Sequence, residues 1–277
     1  MRQWLAVLAA GSTLLTSVAA HADLMLYPTR VEISGKQRSA QLEIINRGDK
    51  PETYRINIVN RRMTEAGEIV VADQPQEGEQ FADTMLVYTP RQVTLAPGAA
   101  QTVRISVRKP AGLPDGEYRS HLQFDRVPDA TGQSDLESTN KPDDGKVAIV
   151  LQALIGASIP VIVRQGETHA TVTLDTLAII PAKDNARPAL SFVFHRQGNR
   201  SVYGDIVATY AGPGRKAVEI GKVDGVAVYV PNTTRHAQLP LILPEGLGLH
   251  GGTLTLRYSE RPDTGGVLLA EDQIVVP

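Results

Sequence analysis

Gly246-Leu247-Gly248-Leu249-His250-Gly251 has the G-x-G-x-x-G spacing that lets a backbone approach a dinucleotide pyrophosphate. That chemistry needs a helix N-terminus straight after the glycines to hold the phosphates. The next residues, Gly252-Thr253-Leu254-Thr255-Leu256-Arg257, alternate as a strand does, so nucleotide binding is not expected. Gly156-Ala157-Ser158-Ile159-Pro160 begins like a nucleophile elbow, but proline stands where the closing glycine belongs. The histidines beyond residue 22 (His121, His169, His195, His236, His250) are far apart, with no i, i+4 pair. The chain has no cysteine to join them, so they read as surface or partly buried side chains and no metal site is expected. Asp143-Asp144 and the other scattered acids fall in polar loops and read as solvated. No cofactor is implied, and the chain does not read as an enzyme.

The elements that would position any site are strands. Leu42 and Ile44 alternate with Gln41 and Glu43; Tyr54, Ile56 and Ile58 with Arg55 and Asn57; Val103, Ile105 and Val107 with Arg104 and Ser106. One face of each is apolar and the other polar, the pattern of antiparallel sheets with one wet side. Turn signals separate the runs: Asn46 to Pro51, Ala96-Pro97-Gly98 and Leu113-Pro114-Asp115-Gly116. After Arg164-Gln165-Gly166 the pattern restarts with runs at His169–Leu174, Leu190–Phe194, Val202–Tyr210, Val226–Val230, Leu254–Tyr258 and Gly266–Val276. Short strands at this spacing predict β-sandwiches, with a boundary near residue 165.

Composition narrows the class. Of the 277 residues 42% are hydrophobic, which excludes a disordered chain, and a net charge of −2 gives no basic footprint for nucleic acid. Missing cysteine suggests a reducing compartment, but the N-terminus overrides it. Arg2, the apolar run Leu5 to Leu15 and Ala20-His21-Ala22 read as a secretory signal cleaved after Ala22. That apolar run is too short to cross ~30 Å of hydrocarbon, and nothing later approaches ~20 apolar residues, so no membrane insertion is expected after cleavage.

Two segments depart from the alternation. Pro128 to Lys146 is almost without apolar residues and reads as a mobile loop. Directly after it, Val147 to Val163 is the least polar run of the mature chain, far longer than an ordinary strand of about 5–6 residues. Its β-branched residues and Pro160 argue against a helix. Both faces are apolar: Ile149, Leu151, Ala153 and Ile155 on one, Ala148, Val150 and Leu154 on the other. Such a strand is either central and covered on both faces, or an edge that needs a partner chain beside it.

Leu24-Met25-Leu26-Tyr27-Pro28-Thr29-Arg30-Val31-Glu32-Ile33 resembles the first strand of periplasmic pilus (fimbrial) assembly chaperones of the PapD-like type. So do Tyr88 to Gly98, Gln101-Thr102-Val103-Arg104 and Leu113 to Leu122, in matching order and spacing across nearly all of residues 24–165. A weaker likeness continues through residues 196–210. The resemblance implies two immunoglobulin-like β-sandwich domains set at an angle with a cleft between them. After signal peptide 1–22 these would be 23–164, carrying the donor strand, and 165–277. It also implies a periplasmic chaperone that binds, folds and caps pilus subunits, lends them the strand their own sandwich lacks, and delivers them to an outer-membrane usher. Val147 to Ile155 matches the donor strand, with Ile149, Leu151, Ala153 and Ile155 as the inserted side chains.

The family anchors the subunit's C-terminal carboxylate with an arginine and a lysine in the cleft. Arg30 holds the arginine position, and a planar fork suits a carboxylate. The lysine position is Pro160, so the carboxylate is held by Arg30 alone, by a neighbour such as Arg119, or in another mode. Glu117 and Arg164 match an acid and a base that pair between the family's domains, while the third, acidic position falls near Leu249. Self-association of the free chaperone is left open. The alternative is a secreted β-sandwich adhesin or pilus subunit, which would consume a donor strand rather than supply one.

Overall fold

The two-residue alternation becomes strand along nearly the whole described chain. The computed structural model describes residues 24–128, 156–183 and 187–277. The first eleven strands are β1 (Leu24–Tyr27), β2 (Val31–Ile33), β3 (Ser39–Asn46), β4 (Glu52–Val59), β5 (Arg61–Met63), β6 (Ile69–Val71), β7 (Leu86–Thr89), β8 (Gln92–Leu95), β9 (Ala100–Val107), β10 (Gly116–Val127) and β11 (Gly156–Gln165). They form a four-stranded sheet, β1-β3-β9-β7, and a five-stranded one, β2-β11-β10-β4-β8, with β5 and β6 as a separate hairpin. Between the two sheets lies one core, with Ile33, Leu42, Ile44, Ile56, Ile105, Leu122 and Phe124 wholly buried. These are the apolar members of the alternating runs, as one buried face per strand requires.

Seven further strands complete the chain: β12 (Ala170–Ile180), β13 (Ala189–Gly198), β14 (Val202–Ala211), β15 (Val218–Val228), β16 (Thr234–Pro240), β17 (Gly252–Glu260) and β18 (Leu268–Val276). They make the sheets β12-β13-β16 and β15-β14-β17-β18 around a second core built on Leu190, Phe194, Tyr210, Leu254, Leu256 and Tyr258. The fold is therefore all-β, with two immunoglobulin-like sandwiches, and no α-helix occurs among the described residues. Gly246 to Gly251 leads into β17, a strand, so the glycine string lacks the helix that a pyrophosphate needs.

Between Val147 and Val163 the described strand begins at Gly156. Ile149, Leu151, Ala153 and Ile155 lie outside the described residues, as do residues 1–23. Over its described length β11 is interior, antiparallel to β10 and parallel to β2. Ile159, Val161 and Val163 enter the first core; Ile162 points the other way, into a small third cluster with Met63, Ala227 and Tyr229. That cluster joins the sandwiches, and burying a side chain such as Ile162 there contributes roughly 1.5–3 kcal/mol. The β5–β6 hairpin adds polar ties: Asn232 Nδ2 donates to the Met63 carbonyl (3.0 Å) and the His236 amide to the Glu65 carbonyl (2.7 Å).

Candidate functional site

Strand alternation decides which side chains meet between the sandwiches. On β10, Tyr118, Leu122 and Phe124 belong to the first core, which leaves Glu117, Arg119 and His121 on the opposite face. Register extends this face across the sheet. Glu117 is paired with Arg164, Arg119 with Ile162 and His121 with Pro160, while Ile162 also neighbours Glu32 of β2.

One group of these charges is closed. Glu117, 2% exposed, accepts Arg164 Nε at 3.1 Å, the Ser201 amide at 3.1 Å and the Ser201 hydroxyl. The Ser201 oxygen in turn accepts the Val230 amide at 3.1 Å. Arg164 also reaches Glu32, with Nη1 2.8 Å from Oε2. Burial alone would raise the Glu32 carboxyl, but Arg30 and Arg164 outweigh it and hold it below the usual carboxylate range. Leu249, where the resemblance sets the third acid, instead packs against the second core. Glu32 is the second acid that Arg164 meets.

A second group is open. Arg30 leaves β1 just before β2, its side chain 8% exposed. Its Nε donates to Glu32 Oε1 at 2.7 Å and its Nη1 to the Tyr229 hydroxyl at 3.1 Å. Nη2 approaches the same Glu32 oxygen but is not aligned to donate, and has no hydrogen-bond partner. The guanidinium also lies 4.6 Å from the Tyr203 ring centre, a cation–π contact. Arg119, 6% exposed, stacks on Tyr229 with its guanidinium carbon 3.9 Å from the ring centre. Arg119 Nη2 donates to the Arg61 carbonyl at 3.2 Å, and Nη1 is buried without a partner. Arg61 Nε and His121 Nδ1 are buried and unpartnered as well. Burial, and then Arg119, Arg61 and Arg30, push the His121 imidazole down to about 3, so it stays neutral. The expectation of a surface or partly buried His121 is thereby corrected: it is 3% exposed, because strand alternation turns it under the second sandwich.

Beside Arg30 opens a cavity of about 530 Å³ that Tyr27, Pro28, Tyr203, Arg261 and Asp263 also line. Arg261 there is already matched by Asp205 at 3.3 Å. No cluster of three or more potential metal ligands occurs among the described residues. What the arrangement offers is capacity for an anion, because Arg30 and Arg119 each keep a buried guanidinium nitrogen without an acceptor.

Sequence reasoning reached Arg30, Glu117, Arg164 and Arg119 but not Glu32, Arg61, Ser201 or Tyr229. Glu32 was within reach, since it stands only two residues after Arg30. Tyr229 was not, because it meets Arg30 across 199 positions of sequence with no local signal.

Residues 23–167, just over half the chain, match the family model described as "Pili and flagellar-assembly chaperone, PapD N-terminal domain". The chain belongs to this family. The chaperone has no match among curated proteins. Among solved structures it is similar to the YadV chaperone (14% identity, covering 92% of this chain and 100% of that one, TM-score 0.44). It is also similar to the class 5 fimbriae chaperone CfaA (16%, 92% and 99%, 0.42) and to the CupB2 chaperone of Pseudomonas aeruginosa (15%, 90% and 98%, 0.42). The assignment rests on the family match.

Proposed function

We propose that this chaperone works in the periplasm, where it captures pilus or fimbrial subunits by donor-strand complementation and delivers them to an outer-membrane usher. Its export signal is cleaved after Ala22; residues 23–164 form the donor domain and 165–277 its partner. Ile149, Leu151, Ala153 and Ile155, immediately before β11, are the side chains lent to the subunit, and Arg30 receives its C-terminal carboxylate. Four apolar side chains entering a groove, at about 1.5–3 kcal/mol each, make a substantial interface before ordering costs are subtracted.

The observation that carries this reading is Arg30 itself. It stands between β1 and β2, at the wall of a cavity between the sandwiches, with a buried Nη2 that has no hydrogen-bond partner. Glu117 and Arg164 are the joint that keeps the cleft open at a fixed geometry.

Co-expression in the periplasm with a small secreted subunit encoded beside this gene should give a soluble equimolar complex. Changing Leu151 and Ile155 together to Asp should abolish capture while the far-ultraviolet spectrum and unfolding midpoint stay as they were. Recovery of undiminished complex with that double variant rejects the donor-strand assignment.

A further inference from the structure

The β5–β6 hairpin belongs to neither sandwich core, yet its backbone meets the second sandwich at three points. The Met63 carbonyl accepts Asn232 Nδ2 at 3.0 Å, and the Glu65 carbonyl accepts the His236 amide at 2.7 Å. Gly67 lies so close to the Arg235 guanidinium that a Cβ there would stand 2.5 Å from Nε and Nη2. The loop that follows adds a fourth contact, with Gly78 placed so that a Cβ would come within 3.1 Å of Pro231.

Both partners of the Gly67 contact are held. The turn is shaped by its own bonds: the Thr64 amide donates to the Glu68 carbonyl (2.9 Å), the Gly67 amide to the Thr64 carbonyl (2.8 Å) and the Glu68 amide to Thr64 Oγ1 (3.2 Å). Gly67 has φ +84°, the left-handed region in which a side chain is strained. Arg235 stands opposite Phe194 of β13, which turns its side chain inward, and its Nη1 donates to the Ala227 carbonyl of β15. Arg235 thus bridges the two sheets of the second sandwich, and a shift that made room for a Cβ would give up that bond.

The Glu117 joint ends on Ser201, just before β14, whereas the hairpin ends on β16, in the other sheet of the second sandwich. Two sandwiches tied at one place can rock, since motion between domains of one chain is the default when their contact is small. Ties to two different sheets remove that freedom.

We propose that the turn of the β5–β6 hairpin is a clasp that fixes the angle between the sandwiches, with Gly67 and Arg235 as positioning residues for subunit capture. Its bearing on capture rests on the functional reading above. The clasp holds the second sandwich at the angle at which the cleft receives a subunit. A chain released from it samples other angles, and binding weakens in proportion to the time spent away from the competent one.

The test uses the mature chaperone with residues 64–68 replaced by Asn-Gly, a two-residue turn that closes a hairpin. This removes the Glu65 and Gly67 contacts and leaves β5 and β6 in place. Amide residual dipolar couplings are then measured in one aligning medium. A single alignment tensor should fit both sandwiches of the wild type. In the shortened variant each sandwich should need its own tensor, while the couplings within each still fit the same structure. Affinity for a subunit that the wild type is found to capture should fall about threefold or more. Two tensors in the wild type, or one in the variant, overturn the clasp. Separate tensors with undiminished affinity overturn the positioning role. Failure of the wild type to capture any subunit overturns the functional reading instead, and the tensors still decide the clasp. Should the shortened chain not fold, Gly67→Ala takes its place. It should separate the tensors, and Arg235→Met added to it should bring them back together by making room for the Cβ. A Gly67→Ala chain with one tensor, or one that Arg235→Met fails to rescue, overturns the proposal.

Discussion

Two arginines, both buried, differ in how fully their donors are satisfied. Arg196 of β13 donates from Nε to the Asn232 carbonyl (2.8 Å), from Nη1 to those of Gly198 and Arg200 (2.8 and 2.9 Å), and from Nη2 to that of Pro231 (3.4 Å). Every nitrogen of the fork holds a loop in place. Arg119 of β10 makes one such bond, stacks on Tyr229 and leaves Nη1 unpaired. The same contrast separates the Glu117–Arg164–Ser201 group from the Arg30–Arg119 group, one residue row apart on one sheet face. The Glu117 network ties the two sandwiches together and the Arg196 fork fastens loops within the second, whereas the Arg30–Arg119 group leaves donors unpaired.

The comparison can be broken most easily at Glu117. Glu117→Ala removes three bonds and leaves Arg164 and Ser201 facing each other, so unfolding in urea should lose about 3–5 kcal/mol. A loss under about 1 kcal/mol would mean the joint is not closed. Arg196→Met should cost about 3 kcal/mol, because each orphaned carbonyl is penalised by ~1–3 kcal/mol unless water reaches it. Acid should act through the open group. His121 titrates near 3 in the folded chain against 6.5 when unfolded, so the unfolded state takes up its proton first as pH falls. Stability contributed by the neutral imidazole is complete above pH 6.5 and declines towards pH 3, by at most about 1.4 kcal/mol per pH unit. His121→Phe should flatten that part of the urea-midpoint profile, and equal slopes with and without the histidine would contradict it. The smallest effect is expected at Arg119. Arg119→Met removes an uncompensated buried charge, so stability should stay within about 1 kcal/mol of the wild type or rise.

Much of the fold was legible in sequence because a sandwich writes its core as period-two alternation. Leu42, Ile44, Val103 and Ile105 were read as one buried face and are wholly or almost wholly buried. Strand β16 escaped notice, since Thr234-Arg235-His236-Ala237-Gln238-Leu239 carries only two apolar residues, and its pairing with β13 comes from tertiary context. The site was legible in part. Arg30, Glu117 and Arg164 were found through linked motifs, but their partners Ser201 and Tyr229 come from the other sandwich. In Glu117-Tyr118-Arg119-Ser120-His121-Leu122, alternation sets His121 on the face of Glu117 and Arg119, away from Tyr118 and Leu122. What alternation cannot say is that the charged face is also covered; only the docking of Tyr229 and Ala227 against Ile162 decides that.

A crystal structure of the chaperone bound to a captured subunit tests the account most directly. The subunit's terminal carboxylate should lie within about 3 Å of Arg30 nitrogens in the cleft, with Glu117 still holding Arg164 and Ser201. A carboxylate bound outside the cleft, with Arg30 Nη2 still lacking a partner, would contradict it.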